Sequence, residues 1–165
     1  MLSIQKIPIP SDSLLKKYTS IAGAYTDCYA TGLARNVSFP EFIFAFYTTP
    51  LFRLERLILA LTVFKPSADM EARQIAGGTT DKFAAWILED RTENEILLCD
   101  FVRRTRSWLM AEQNETNTQL YFGSAVVPKV GETSLEFGYR ALLGFHQAYS
   151  VLLLWSAKAK LEREG

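Results

Sequence analysis

The chain has 165 residues, 48% of them hydrophobic and 22% charged, which fits one globular domain with a substantial core and excludes a disordered or low-complexity segment. Lys and Arg number 18 and balance 18 Asp and Glu, so no overall field draws in nucleic acid or an acidic membrane surface. Two cysteines, Cys28 and Cys99, and a single histidine are too few for a disulfide framework or an ordinary zinc site, and no metal or cofactor is expected.

The N-terminal segment, residues 1–20, contains no apolar run long enough for a secretory signal and is interrupted by Pro8 and Pro10, so a cytoplasmic location is expected. Residues 24–33, "AYTDCYATGL", are rich in aromatic and β-branched residues and read as a strand ending near Gly32. Ser38 then reads as an N-cap with Glu41 as its reciprocal partner and Val37 facing Phe42 as a hydrophobic staple, which starts a helix at Phe39. Thr49 before Pro50 gives a second start, with helix over Leu51 to Leu61, so a broken helical pair is predicted across 39–62. Pro66 and Ser67 open a shorter helix with Asp69 and Glu71 in its first turn, and Gly77-Gly78 closes it. The adjoining "GGTT" lacks the lysine of a phosphate-binding loop and reads as a helix stop.

Four strands follow: Lys82 to Arg91, Glu95 to Val102, Arg106 to Glu112 and Thr118 to Val127. Their links have hairpin lengths, which makes an antiparallel meander. Alternation puts Phe83, Ala85 and Ile87 on one face and Ala84, Trp86 and Leu88 on the other, so neither face suits water. One face should meet the C-terminal helix; the other needs the 39–62 helices, an internal cavity or a second subunit. The last element, Thr133 to Glu162, is a helix of about 30 residues and about 45 Å. On it Leu135, Tyr139, Leu142, His146, Tyr149 and Leu153 form one stripe, with Arg140, Gln147 and Lys158 opposite. Residues 141–157 carry no charge but include His146, Gln147, Ser150 and Ser156, so they read as a soluble core helix rather than a membrane span.

This order of elements resembles the helix-grip fold of START-like and polyketide cyclase-like (SRPBCC) proteins. The resemblance implies an α+β fold and a single helix-grip-like domain over 1–165, in which an antiparallel sheet wraps the long C-terminal helix and a helical pair follows the first strand. It also implies a cavity between sheet and helix for an apolar or aromatic ligand. Five strands are read against the seven usual in such proteins, and the other two can hide in short segments such as Ser3 to Pro8. The segments "GAYTDCYAT", "FYTTPLFRLERL", "RTRSWL", "LYFGSAVVP" and "LLGFHQAYS", spread over Ala22 to Leu161, are also similar to a bacterial family of unknown function, which implies no activity.

His146 sits mid-stripe, where a core histidine with satisfied ring nitrogens, a ligand contact and an acid-base group are the three readings. Tyr149 is its neighbour one turn on, and Tyr139 lies one stripe position beyond Leu142. In "RRTRSW" the three arginines, Arg103, Arg104 and Arg106, read either as a solvated turn or with Arg106 directed into the cavity, paired with Asp100 or with an anionic ligand group. Trp108 shares its strand face and would pack the apolar body of such a ligand; Trp86 and Trp155 could line a pocket or seal an interface. Asp27 beside Cys28 lacks a nearby histidine, so the thiol reads as inert.

The ligand-binding candidates are therefore His146, Tyr149, Arg106, Trp108, Tyr139, Trp86 and Asp100, with no catalytic residue assigned. The expected function is binding of a small apolar or aromatic molecule, without nucleic acid or a membrane span. The alternatives are an enzyme of cyclase or dehydratase type on the same scaffold, resting on analogy of fold, and a non-catalytic interaction module that closes surplus apolar surface as a homodimer.

Overall fold

The computed structural model describes residues 4–62 and 67–165, without the side chains of Leu59 and Tyr139. Its elements are β1 (Gln5–Lys6), a 3-10 helix (Leu14–Ser20), β2 (Tyr25–Leu33), α1 (Phe39–Tyr47), α2 (Pro50–Thr62), α3 (Asp69–Gly77), β3 (Lys82–Phe83), β4 (Trp86–Arg91), β5 (Glu95–Asp100), β6 (Thr105–Gln113), β7 (Thr118–Val126) and α4 (Phe137–Glu164). The strands pair antiparallel in the order β1-β2-β7-β6-β5-β4-β3. A seven-stranded antiparallel sheet facing a 28-residue terminal helix, with a helical pair after the first long strand, is the expected α+β, helix-grip-like architecture.

The helical layer begins where local chemistry dictates. Ser38 and Glu41 form the reciprocal capping box: the Glu41 carboxylate accepts from the Ser38 main-chain N–H at 2.8 Å, and Ser38 Oγ accepts from Glu41 N at 3.4 Å. Thr49 Oγ1 accepts from Phe52 N at 3.1 Å and so caps α2 behind Pro50. Helix α3 starts at Asp69, with the Glu71 carboxylate capping the Ala68 N–H at 2.7 Å; Pro66, expected to open this helix, lies outside the described residues. Gly78 ends α3 at φ 73°, the left-handed conformation glycine adopts without strain. Arg91 of β4 then donates to the Ile75 and Ala76 carbonyls at 2.6 Å each, so a strand side chain closes the helix end.

Two strands beyond the five read from the sequence come from different causes. One is β1, inside the Ser3 to Pro8 stretch, although Ser3 itself lies outside the described residues. The other arises because residues 82–91 are not one strand: Ala84 takes φ 53°, and a two-residue turn folds β3 back on β4 with Phe83 opposite Trp86. Phe83, Trp86 and Leu88 therefore share the inner face, whereas simple alternation had placed Trp86 and Leu88 opposite Phe83.

The inner face packs on α1, α3 and α4, with Phe42, Phe46 and Tyr47 fully buried among Phe83, Leu98, Leu109 and Phe122. Each such side chain contributes about 1.5–3 kcal/mol of burial. The outer face is covered by neither the 39–62 helices nor an internal cavity. The N-terminal segment lies over it, placing Leu15 and Tyr18 on Cys28, Leu97, Trp108 and Met110. Gly123 makes this approach feasible, since a Cβ there would stand 2.6 Å from Leu15 Cδ2 and 2.9 Å from the Asp27 carbonyl oxygen.

Helix α4 seats on the sheet and α1 through its C-terminal half, where Leu153, Leu154, Ala157 and Leu161 are buried. The predicted stripe therefore holds only in part. Leu142 is 62% exposed and borders neither the packed core nor the cavity that the helix faces at His146 and Tyr149, and Lys158 folds inward to stand 3.5 Å from Thr31 Oγ1. No described helix is long and apolar enough to cross a membrane.

Candidate functional site

Between α2, the N-terminal half of α4 and the inner face of the sheet lies a cavity of about 620 Å³. Helix α2 supplies Glu55, helix α4 supplies His146, Tyr149 and Ser150, and the sheet supplies Trp86, Phe122 and Ser124. The mouth is rimmed by Leu54, Ile58, Phe101, Phe145 and Leu152, all exposed. Size and lining are ordinary for a small-molecule site.

One wall is a chain of hydrogen bonds set up by strand register. Asp27 of β2 stands directly across from Ser124 of β7, and residues directly opposite share a face. Asp27 is buried, and its Oδ1 accepts from the Ser124 main-chain N–H at 3.1 Å and from the Ser124 hydroxyl at 2.5 Å. Its Oδ2 accepts from the Tyr25 hydroxyl at 2.9 Å. Because the single Ser124 hydroxyl proton goes to Asp27, the serine oxygen accepts, and His146 Nε2, 2.7 Å away, is the donor. The imidazole is thereby held as the Nε2–H tautomer with its lone pair on Nδ1. The Tyr25 ring packs edge-on against it at 6.0 Å. Burial pushes the imidazole pKa below its ordinary value, against an opposing pull from Asp27, so the ring is neutral at neutral pH.

The facing wall carries a second pair. Tyr149 of α4 donates its hydroxyl to Glu55 Oε2 of α2, and its ring stacks on Phe145 at 6.0 Å. Burial raises the Glu55 carboxyl pKa despite that hydrogen bond, and it pushes the Tyr149 phenol up as well. Among the described residues no Lys or Arg ion-pairs with either Glu55 or Asp27. Two further polar atoms bordering the cavity, Ser150 Oγ and Trp86 Nε1, are buried without a hydrogen-bond partner.

Of the candidates read from the sequence, His146, Tyr149, Trp86 and Asp100 come together around this cavity. Trp108 does not. Its strand position faces outward, where it is fully buried under the N-terminal segment and donates Nε1–H to Glu95 at 2.7 Å. Arg106 borders the cavity, but it shares the outward side-chain direction of Trp108 and donates Nε–H to Tyr18 Oη at 2.8 Å and to Glu89 at 3.0 Å. Its carboxylate partner is thus Glu89, not Asp100. Asp100 Oδ1 instead accepts from the Arg104 and Thr105 main-chain N–H groups and fixes the β5–β6 turn. The side chain of Tyr139 lies outside the described residues. Cys28 is buried on the outer face, and burial pushes its thiol pKa up to about 12, which keeps it protonated.

Sequence reasoning missed Glu55, Ser124 and Ser150. Glu55 had a signal: with Leu51 and Ile58 at helical spacing, it is a carboxylate on an otherwise apolar stripe. Ser150 likewise follows His146 by four residues and precedes Leu153 by three. Ser124 had none, since its role comes from cross-strand register with Asp27.

Among the described residues no group of three His, Cys, Asp or Glu side chains stands close enough to hold a metal ion. Comparison with known protein families, with curated proteins and with solved structures found no match.

Proposed function

We propose that this protein binds a small apolar or aromatic molecule in the cavity between the sheet and the C-terminal helix. The observation that carries the reading is a mostly apolar cavity bordered by two buried polar atoms, Ser150 Oγ and Trp86 Nε1, that lack partners. Leaving such atoms unpaired costs about 1–3 kcal/mol each, a loss that a bound molecule recovers. Indole nitrogen only donates, so the ligand presents an acceptor to Trp86, whereas Ser150 serves either way. Native mass spectrometry of protein purified from its own host tests this and reads subunit number at the same time. A retained small-molecule mass supports the reading. Protein that carries no adduct, and whose melting midpoint shifts with no member of a panel of aromatic compounds, counts against it.

A second reading, an enzyme of cyclase or dehydratase type, draws on the two titratable walls. A neutral histidine with a free Nδ1 lone pair and a carboxyl of raised pKa face one cavity, which is the division of roles that general acid-base chemistry uses. Loss of turnover in His146→Ala with ligand affinity preserved would favour it over simple binding.

A further inference from the structure

The charge of the lining constrains the ligand further. The cavity is bordered by two carboxylates, Glu55 and Asp100, and a third, Asp27, lies behind Ser124. Arg106, the only arginine on its border among the described residues, has its guanidinium committed to Glu89 and Tyr18 on the opposite face of the sheet. Among the described residues, therefore, no free cation on the border awaits an anionic ligand. Glu55 is different from the other carboxylates. Asp100 is satisfied by turn amides and Asp27 by three donors, while Glu55 receives, among the described residues, only the Tyr149 hydroxyl and keeps part of its surface open.

Aromatic rings crowd the same space. Trp86, Phe101, Phe122, Phe145 and Tyr149 all border the cavity, and an aromatic face attracts a cation through its quadrupole. Bordering the same cavity, and next to Tyr149 in the chain, Ser150 Oγ is fully buried, unpartnered and able to accept a hydrogen bond. A carboxylate with no ion-pair partner among the described residues, a free hydroxyl oxygen and a set of π faces are together complementary to an ammonium group on an apolar body.

Resting on the cavity reading above, the geometry points to an amphipathic organic amine as the ligand class, its ammonium seated between Glu55 and Ser150 and its apolar body against the aromatic walls. An ammonium paired with carboxylate in such a setting satisfies both charges, whereas a ligand carboxylate would face Glu55 with like charge.

Three probes on one skeleton test the idea: naphthylethylamine, naphthylethanol and naphthylpropionate, titrated by calorimetry or fluorescence against the intact protein and against Glu55→Gln. The expected result is that the amine binds at least about tenfold more tightly than either of the others, the scale of one charge-assisted interaction. Glu55→Gln removes that preference and leaves naphthylethanol affinity within about twofold, which also reports that the variant's cavity is intact. Should Glu55→Gln fail to fold, Glu55→Met takes its place, and the ranking of the three probes on the unmodified protein still decides. Binding of the alcohol or propionate as tight as that of the amine overturns the amine assignment and leaves the cavity reading standing, as does an amine preference that survives loss of the Glu55 charge. Failure of all three probes to bind overturns both.

Discussion

The Ser124 hydroxyl lies 2.7 Å from His146 Nε2, so the only histidine of the chain is tied to the sheet through a serine and not through a carboxylate. The serine proton is spent on Asp27, which fixes the direction of the whole chain of bonds. Ser124→Ala breaks it at both ends: Asp27 Oδ1 loses its hydroxyl donor and His146 Nε2–H loses its acceptor. The expected destabilisation is about 1–3 kcal/mol in urea unfolding. Ser124→Thr, which keeps the hydroxyl, is expected to recover part of it. An Ala variant as stable as the parent would mean that His146 finds another acceptor at no cost.

The two walls of the cavity respond to acid with opposite signs. The folded-state pKa of His146 lies below the ordinary imidazole value, so between the two values the unfolded chain binds more protons, and stability falls as pH drops through about 6.5. For Glu55 the folded-state pKa lies above the ordinary carboxyl value; its contribution is complete below about 4.3 and is lost as pH rises through the folded value. The groups facing these two are Asp27 and Tyr25 on β2 and Tyr149 on α4. In urea titrations from about pH 7 to about pH 5, His146→Gln should lose stability less steeply than the parent and Glu55→Gln more steeply. Equal slopes in parent and His146→Gln would remove the argument that the imidazole is buried neutral.

Much of the architecture was legible because it rests on local chemistry. The Ser38–Glu41 box, Thr49 ahead of Pro50, and Gly77-Gly78 each state a helix boundary in adjacent residues, and the structure places boundaries there. What failed involved non-local partners. Alternation misjudged residues 82–91 because an alanine pair forms the turn, without the glycine or asparagine that would have announced it. Arg106 and Trp108 were read to one face together, which is right, but which face meets the helix depends on where the N-terminal segment lies, and no periodicity encodes that. The site was legible on α4, where His146 and Tyr149 are one turn apart, and illegible across strands.

The outward placement of Arg106 separates stability from binding in a measurable way. Its guanidinium stands 4.8 Å over the Tyr18 ring and pairs with Glu89, which also holds Lys17 at 2.8 Å. Arg106→Met removes the pairing and keeps the stem that covers the strand. The expected cost is about 1.5–3 kcal/mol of stability, as for hydrogen bonds to charged groups. Burial and the Glu89 contact now push the Tyr18 phenol up to about 12, with Arg106 pulling the other way; without the guanidinium the phenol should titrate higher still. Affinity for naphthylethanol should change by less than about twofold, whereas a tenfold loss would mean that the guanidinium itself reaches a bound molecule.

The N-terminal segment is fastened to the outer face chiefly at Glu95. This buried carboxylate accepts from Trp108 Nε1 at 2.7 Å and from Leu14 N, at the start of the 3-10 helix, at 2.8 Å. One oxygen thus joins the strand that holds it, the neighbouring strand and the covering segment. Glu95→Ala leaves an indole N–H and a main-chain N–H without an acceptor, each costing about 1–3 kcal/mol where water is excluded. Trp108→Phe removes one of those donors along with the bond, so the double variant should be less destabilised than the two single effects added together. Amide hydrogen exchange gives the local readout. In Glu95→Ala the amides of residues 14–20 should exchange faster, while those around Leu153 and Leu154 of α4, on the far face of the sheet, keep their protection relative to global stability. If exchange accelerates uniformly across both faces, the segment and the sheet open as one cooperative unit, and Glu95 is not a local clasp.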